Sequence, residues 1–210
     1  MTALTPRIIG IGIGVLVVAA MALDTTYKDS DAPKTTAGGR AAFEPAKYGA
    51  KTFPKASATV EQKAQPLPQL VAALHKDLDA AGKQFGHREG TSPYSFSASG
   101  TGVAGAAKSG LMPVRVAGVP KNTTVSLQVG PAINGTAIRD AVGFISFNQF
   151  VNQVDFADAA TALNTEVKTK VLKGIDPQSL KGKRVSFVGA FTALGPSVVT
   201  ITPVKLETGA

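Results

Sequence analysis

An α+β fold built around a five-stranded barrel is predicted by three features of the sequence. Apolar residues fall at helical spacing between Leu67 and Phe85, alternate in three short segments between Tyr94 and Val129, return to helical spacing through Val171, and alternate again from Val185. The order is therefore one helix, three strands, one helix and two strands. Gly- and Pro-rich punctuation separates the alternating segments. An apolar run near the N-terminus stands apart from all of this and predicts a membrane helix ahead of the body.

That run comes first. Sixteen consecutive uncharged residues extend from Ile8 to Leu23 behind Arg7. A basic residue, a short apolar stretch and Ala20-Met21-Ala22 fit a cleavable secretory signal. With its polar flanks at the interfaces the run also reaches across a bilayer as an uncleaved anchor, which is the preferred reading. In both cases the body lies outside the cytoplasm. Residues 24–65 are rich in Thr, Ala, Lys, Pro and Gly and read as a tether, with Phe43, Tyr48 and Phe53 able to lay its later part against the body. The body is assigned to residues 66–210, and the anchor to 1–23.

Pro68 opens an amphipathic helix whose stripe is Leu67, Leu70, Val71, Leu74, Leu78, Ala81 and Phe85, with Gly82 or Gly86 as its end. Tyr94, Phe96 and Ala98 then alternate with serines, Val114 and Val116 bracket Arg115, and Val125, Leu127 and Val129 alternate with Thr124, Ser126 and Gln128. These are three half-buried strands. Ser146 and Gln149 have capping-box spacing and predict a helix with Phe147, Phe150, Val151 and Val154 on its core face. Asp155 is the expected cap of a second stretch, striped by Phe156, Ala160, Leu163, Val167 and Val171. Val185, Phe187, Gly189 and Phe191 form a fourth strand. Residues 198–206 form a fifth, in which Pro203 predicts an edge or a bulge. Three strands, a helix and two strands is the order of an OB-like barrel, with the helix between strands three and four.

Composition excludes several function classes. The chain has no cysteine, so disulfides, a thiol nucleophile, thiolate metal sites and lipid attachment through Cys are all ruled out. The formal charge is +8 but is scattered, and its densest run, Lys181-Gly182-Lys183-Arg184, has no interleaved aromatic residue. Nucleic acid is therefore not expected as a partner. Gly100-Thr101-Gly102-Val103-Ala104-Gly105 spells GxGxxG. It leads into another strand rather than a helix, and lacks the following acid, so it reads as a β-turn. His75 and His87 have no matching ligands nearby. Asp155 and Asp158 read as helix-start residues. No Gly-x-Ser-x-Gly elbow is present. No enzyme, metal or cofactor is expected.

The candidate site is the polar segment at the centre of the chain: Asn134, Arg139, Asp140, Asn148, Asn152 and Gln153, set among four phenylalanines. Amides and charges beside rings are buried, and buried polar groups must be hydrogen-bonded. Two readings stay open. In one these groups tie the strand-to-helix crossover to the barrel; in the other they line a pocket suited to sugar hydroxyls.

The sequence also resembles a bacterial family of predicted periplasmic lipoproteins of unknown function. The residues that carry the resemblance are Ser92-Pro93-Tyr94-Ser95-Phe96, Gln128-Val129-Gly130-Pro131, Gly135-Thr136-Ala137-Ile138-Arg139-Asp140-Ala141, Phe144-Ile145-Ser146-Phe147-Asn148-Gln149-Phe150-Val151-Asn152-Gln153, Gly189-Ala190-Phe191-Thr192 and Ile201-Thr202-Pro203-Val204. The resemblance implies an extracytoplasmic, membrane-associated protein, often encoded beside sugar ABC-importer components. This chain departs from the lipoprotein pattern where a lipobox cysteine belongs; Met21-Ala22-Leu23-Asp24 follows instead. Together these readings give the expectation of a non-enzymatic, membrane-tethered protein accessory to carbohydrate ABC import, with sugar-transporter components as partners. A stand-alone binding protein for small ligands or oligosaccharides is the alternative.

Overall fold

Alternation in the sequence becomes five strands in the computed structural model, which describes residues 42–209. They are β1 (Ser95–Ala104), β2 (Leu111–Val116), β3 (Thr124–Gln128), β4 (Arg184–Thr192) and β5 (Val198–Thr208). β1 pairs antiparallel with β2, β2 with β3, β4 with β5 and β4 with β1, while β3 and β5 run parallel. The circuit closes into a barrel, so every barrel strand has a neighbour on both sides. Phe96, Ala98, Met112, Leu127, Phe187, Phe191 and Ile201 fill the interior, with Phe96 and Phe191 stacked at 5.3 Å between ring centroids. Pro203 is accommodated by a bulge: the β4–β5 register shifts between Val188 and Gly189, and Gly189 pairs with Pro203.

The GxGxxG stretch is not the β-turn its glycines suggested: residues 100–104 continue β1, paired on both sides, and the glycines serve the closure. Gly102 faces β2, where a Cβ would lie 2.3 Å from the Arg115 carbonyl oxygen. Only a residue without a side chain lets the two strands approach there.

Helices form a second layer. α1 (Pro45–Lys63) precedes α2 (Leu67–Lys76) and α3 (Leu78–Phe85); α4 (Ala137–Val142) and α5 (Gln153–Glu166) fill the connection between β3 and β4. The stripe on α2 and α3 packs on the barrel core. A separate core forms where Phe53, Ala56 and Val60 of α1, Ile138 and Val142 of α4, and Leu163 of α5 cover Ala190 and Val204 on the outside of the barrel.

Four further expectations are corrected. The segment 24–65 is not a tether throughout: residues 24–41 lie outside the described residues, but Pro45–Lys63 is a 19-residue helix with Gly49, Phe53, Ala56 and Val60 buried. The body thus extends N-terminal of residue 66. The helix of residues 67–85 breaks at Asp77, whose extended backbone (φ −164°) and side chain cap α3 by accepting from the Ala80 N–H at 2.9 Å. No long helix starts at Ser146. Phe147–Gln149 make a single 3₁₀ turn, Phe150 is extended, and Phe147, Val151 and Val154 are 41%, 53% and 67% exposed. Phe150 turns instead toward Phe43 and Tyr48, at 5.6 and 5.7 Å. Asn152, not Asp155, caps α5, accepting the Asp155 N–H at 2.8 Å. The segment 1–23 read as the anchor lies outside the described residues. No helix among the described residues is long and apolar enough to cross a membrane.

Candidate functional site

The polar centre is assembled around α4. This helix has only six residues, all of them buried. A helix so short cannot satisfy its own ends, and burial keeps water from doing so. Side chains from distant elements take over. His87, at the end of a short bridge paired with β1, places Nδ1 2.7 Å from the Asp140 carbonyl, which makes Nδ1 the protonated nitrogen. Lys63, the last residue of α1, donates from Nζ to the Val142 carbonyl at 2.9 Å. Gly143 then leaves the helix in the left-handed conformation (φ 78°), directly beside the His87 ring.

Arg139 and Asp140 form the charged pair within it, both 8% exposed. Arg139 Nε donates to Asp140 Oδ1 at 2.7 Å. Its Nη1 donates to the Phe156 carbonyl at 2.9 Å, and its guanidinium lies 3.6 Å from the centre of the Phe156 ring. Asp140 Oδ2 accepts from Thr136 Oγ1 at 2.6 Å. Donors and acceptors are thus matched inside the protein.

The loop from β3 to α4 is held in the same way. Gln128, at the end of β3, donates from Nε2 to the Asn134 carbonyl (2.9 Å) and to Thr202 Oγ1 of β5 (2.8 Å), and its Oε1 accepts the Asn134 N–H (2.8 Å). Asn164 of α5 donates to the Gly135 carbonyl at 2.8 Å.

Of the six residues singled out in the sequence, the structure brings together Arg139 and Asp140. Asn134 joins through its backbone. Asn148 accepts from Ser146 Oγ within its own turn, and Asn152 is occupied with Asp155 at the start of α5. Gln153 is exposed. Gln128, Thr136, Asn164, Thr202, His87 and Lys63 complete the network instead. Gln128 carried a signal, since it stands within the run into Gly130-Pro131 that carries the family resemblance; its alternation with Thr124 and Ser126 disguised it as an outward polar residue. The histidine and lysine gave none, because their partners are carbonyls more than 50 positions away.

The barrel surface offers other features. A cleft of about 470 Å³ lies between Pro66, Pro68, Ser99–Thr101, Ala117, Ser186–Val188, Lys205 and Glu207. Glu207 hydrogen-bonds Lys205 at 3.0 Å and raises the pKa of its ammonium. Around the β4–β5 loop, residues Leu194–Val198 with Thr192 and Thr200 line a depression of about 500 Å³. Leu194 is 85% exposed and Val198 61%. Val103 and Leu111, on neighbouring β1 and β2, are also exposed. Among the described residues, no three His, Asp or Glu side chains converge in a metal-binding group.

The barrel has a counterpart among solved structures. An OB-fold protein from Thermotoga maritima superposes with a TM-score of 0.65 at 23% identity, covering 80% of this chain and 99% of that one. That likeness establishes the OB fold. No curated protein matches. The sequence matches the family described as predicted periplasmic lipoprotein (DUF2291) over residues 13–207, nearly its whole length, and the chain belongs to that family.

Proposed function

We propose that this chain is a non-enzymatic, membrane-attached module on the extracytoplasmic side that acts as an accessory to carbohydrate ABC import. Family membership supports the location. With no cysteine to carry a lipid, attachment falls to the apolar run from Ile8 to Leu23. One observation carries the functional reading. The buried charged and amide groups around α4 bond to one another and to backbone, leaving little to offer a substrate, while Leu194, Val198, Val103 and Leu111 present apolar surface on the barrel. Exposed apolar side chains on the strands and the β4–β5 loop of a closed barrel suit contact with another protein.

Uptake of labelled sugar by the ABC importers of the cell that carries this chain tests the reading. Deleting the chain should lower uptake, and a Leu194→Asp, Val198→Asp variant with parental melting temperature should fail to restore it. Unchanged uptake in the deletion strain would refute the role. The 470 Å³ cleft, with Ser99, Thr101, Ser186, Lys205 and Glu207 as donors and acceptors, supports a second reading as a stand-alone small-ligand or oligosaccharide binding protein. Saturable heat on titrating purified protein with oligosaccharides, lost in Lys205→Ala, would favour it.

A further inference from the structure

Three of the seven large hydrophobic residues exposed among the described residues lie within eight positions of one another: Phe147, Val151 and Val154. Phe147 and Val151 sit between α4 and α5 and Val154 in the first turn of α5, and none of the three belongs to the buried core. They are continuous with a raft of rings. Phe147 meets Phe156 at 5.6 Å, Phe156 meets Phe150 at 5.3 Å, and Phe150 meets both Tyr48 and Phe43. Phe43 is the point where the chain enters the body, so the raft lies where the sequence leading from the apolar run joins it.

The geometry points to a lipid surface as the occupant of this patch: the body seats on the bilayer through Phe147, Val151 and Val154, with the ring raft behind them. Two arguments select lipid over a second protein. Nineteen residues separate Leu23 from Phe43, and whatever their conformation they leash this patch, at its own entry point, to the membrane. A leash of this length raises the local concentration of the surface to the millimolar range, so an intrinsically weak apolar contact becomes occupied. The flanking helices α1 and α5 begin with charges of both signs. Lys47, Lys51 and Lys55 stand on α1, against Glu44, Asp155 and Asp158. Lys47 is paired with Glu44, and Lys55 Nζ lies 4.3 Å over the Phe144 ring. Such lysines extend their stems along apolar surface and keep the ammonium at the headgroups. The contact is therefore apolar, not electrostatic.

This inference rests on the membrane attachment in the proposed function, not on the sugar importer. The absence of native cysteine makes the test direct. Full-length protein carrying Val154→Cys, labelled with an environment-sensitive fluorophore, is reconstituted in vesicles of phosphatidylcholine with a minor fraction of phosphatidylglycerol and no transporter. Emission at 154 should shift to the blue and be quenched by lipid-borne quenchers. A label at Leu194→Cys, the most exposed of the large hydrophobic residues among those described, should not respond. The shift should survive ~0.5 M salt, which shortens the Debye length to a few ångströms. Adding Phe147→Asp and Val151→Asp should lower the seated-to-free ratio about tenfold, the scale of removing two partly buried apolar side chains. A label at 154 that stays water-exposed would overturn the proposal. So would equal responses at 154 and 194, loss of the shift in salt, or recovery of the protein in the vesicle-free supernatant. An unchanged sugar-uptake phenotype, by contrast, would sink only the importer reading.

Discussion

Replacing Arg139 by Met keeps the apolar stem and removes the guanidinium. Three interactions go together: the 2.7 Å bond to Asp140, the 2.9 Å bond to the Phe156 carbonyl and the 3.6 Å contact with the Phe156 ring. Asp140 is then a carboxylate only 8% exposed, with Thr136 as its remaining side-chain donor. Breaking a buried pair by deleting one partner typically costs ~3–5 kcal/mol. The surviving Thr136 bond places this case at the lower end, at ~3 kcal/mol. For a domain of this size each kcal/mol lowers Tm by about 2–4 °C, which gives a drop of ~6–12 °C. Asp140→Asn should also destabilise, and the double variant should lose less than the two single variants added together, by at least ~1 kcal/mol of coupling. Urea titrations followed by far-UV circular dichroism measure all three. A Tm within ~2 °C of the parent, or strict additivity, would show that the pair does not hold the crossover and would return Arg139 to the list of candidate ligand contacts.

Gly102→Ala should destabilise by ~3 kcal/mol or more, because its Cβ would meet the Arg115 carbonyl oxygen at 2.3 Å and backbone cannot yield cheaply; parental stability would remove the close-approach account of the GxGxxG stretch. Asn152→Ala should cost ~1 kcal/mol through loss of the α5 cap, read as a shift in urea midpoint at unchanged m-value. Burial raises the Tyr48 pKa above its unfolded value near 10, so its stabilising contribution is complete below pH 10 and fades as pH rises through the folded value; Tyr48→Phe should flatten that alkaline limb, and an identical limb in both proteins would contradict the assignment. Single-stranded DNA should bind no tighter than ~1 μM at ~150 mM salt, since the barrel face carries no aromatic platform; sub-micromolar affinity in a fluorescence titration would reopen the nucleic-acid class.

The barrel was legible because closure needs alternation and turns, both local properties of sequence. Pro203 announced the bulge for the same reason. α1 was readable in principle, since Gly49, Phe53, Ala56 and Val60 keep helical spacing, but Pro54 and the Lys- and Thr-rich surface resemble linker composition. The break at Asp77 and the false start at Ser146 have a common cause. Cap-like residues fit several positions within a few residues, and tertiary contact chooses among them: Phe150 is drawn to Phe43 and Tyr48, which leaves Asn152 to begin α5. The site residues were half legible. Burial of Arg139 and Asp140 followed from the surrounding rings, whereas the partners of a carbonyl leave no mark in sequence.

The density of polar residues at the centre of this chain then has a physical origin. The outer faces of β4 and β5 carry apolar residues, Ala190 and Val204, that a helix must cover. The connection from β3 reaches that face through a loop and a single short helix. Isolated, α4 would not form, because six residues cannot offset the nucleation penalty. Buried, its free carbonyls need donors, and these come from both flanks: Lys63 from α1 and His87 from the bridge beside β1. The loop ahead of it has the same need and takes Asn164 and Gln128, whose amide also donates to Thr202 of β5. All of these bonds but the local one from Gln128 to Asn134 join elements that the chain keeps far apart, so the network fixes the helical layer on the barrel in one register. Its polarity follows from covering a barrel with too short a helix, which is why surface apolarity, and not this cluster, is the better guide to what the protein binds.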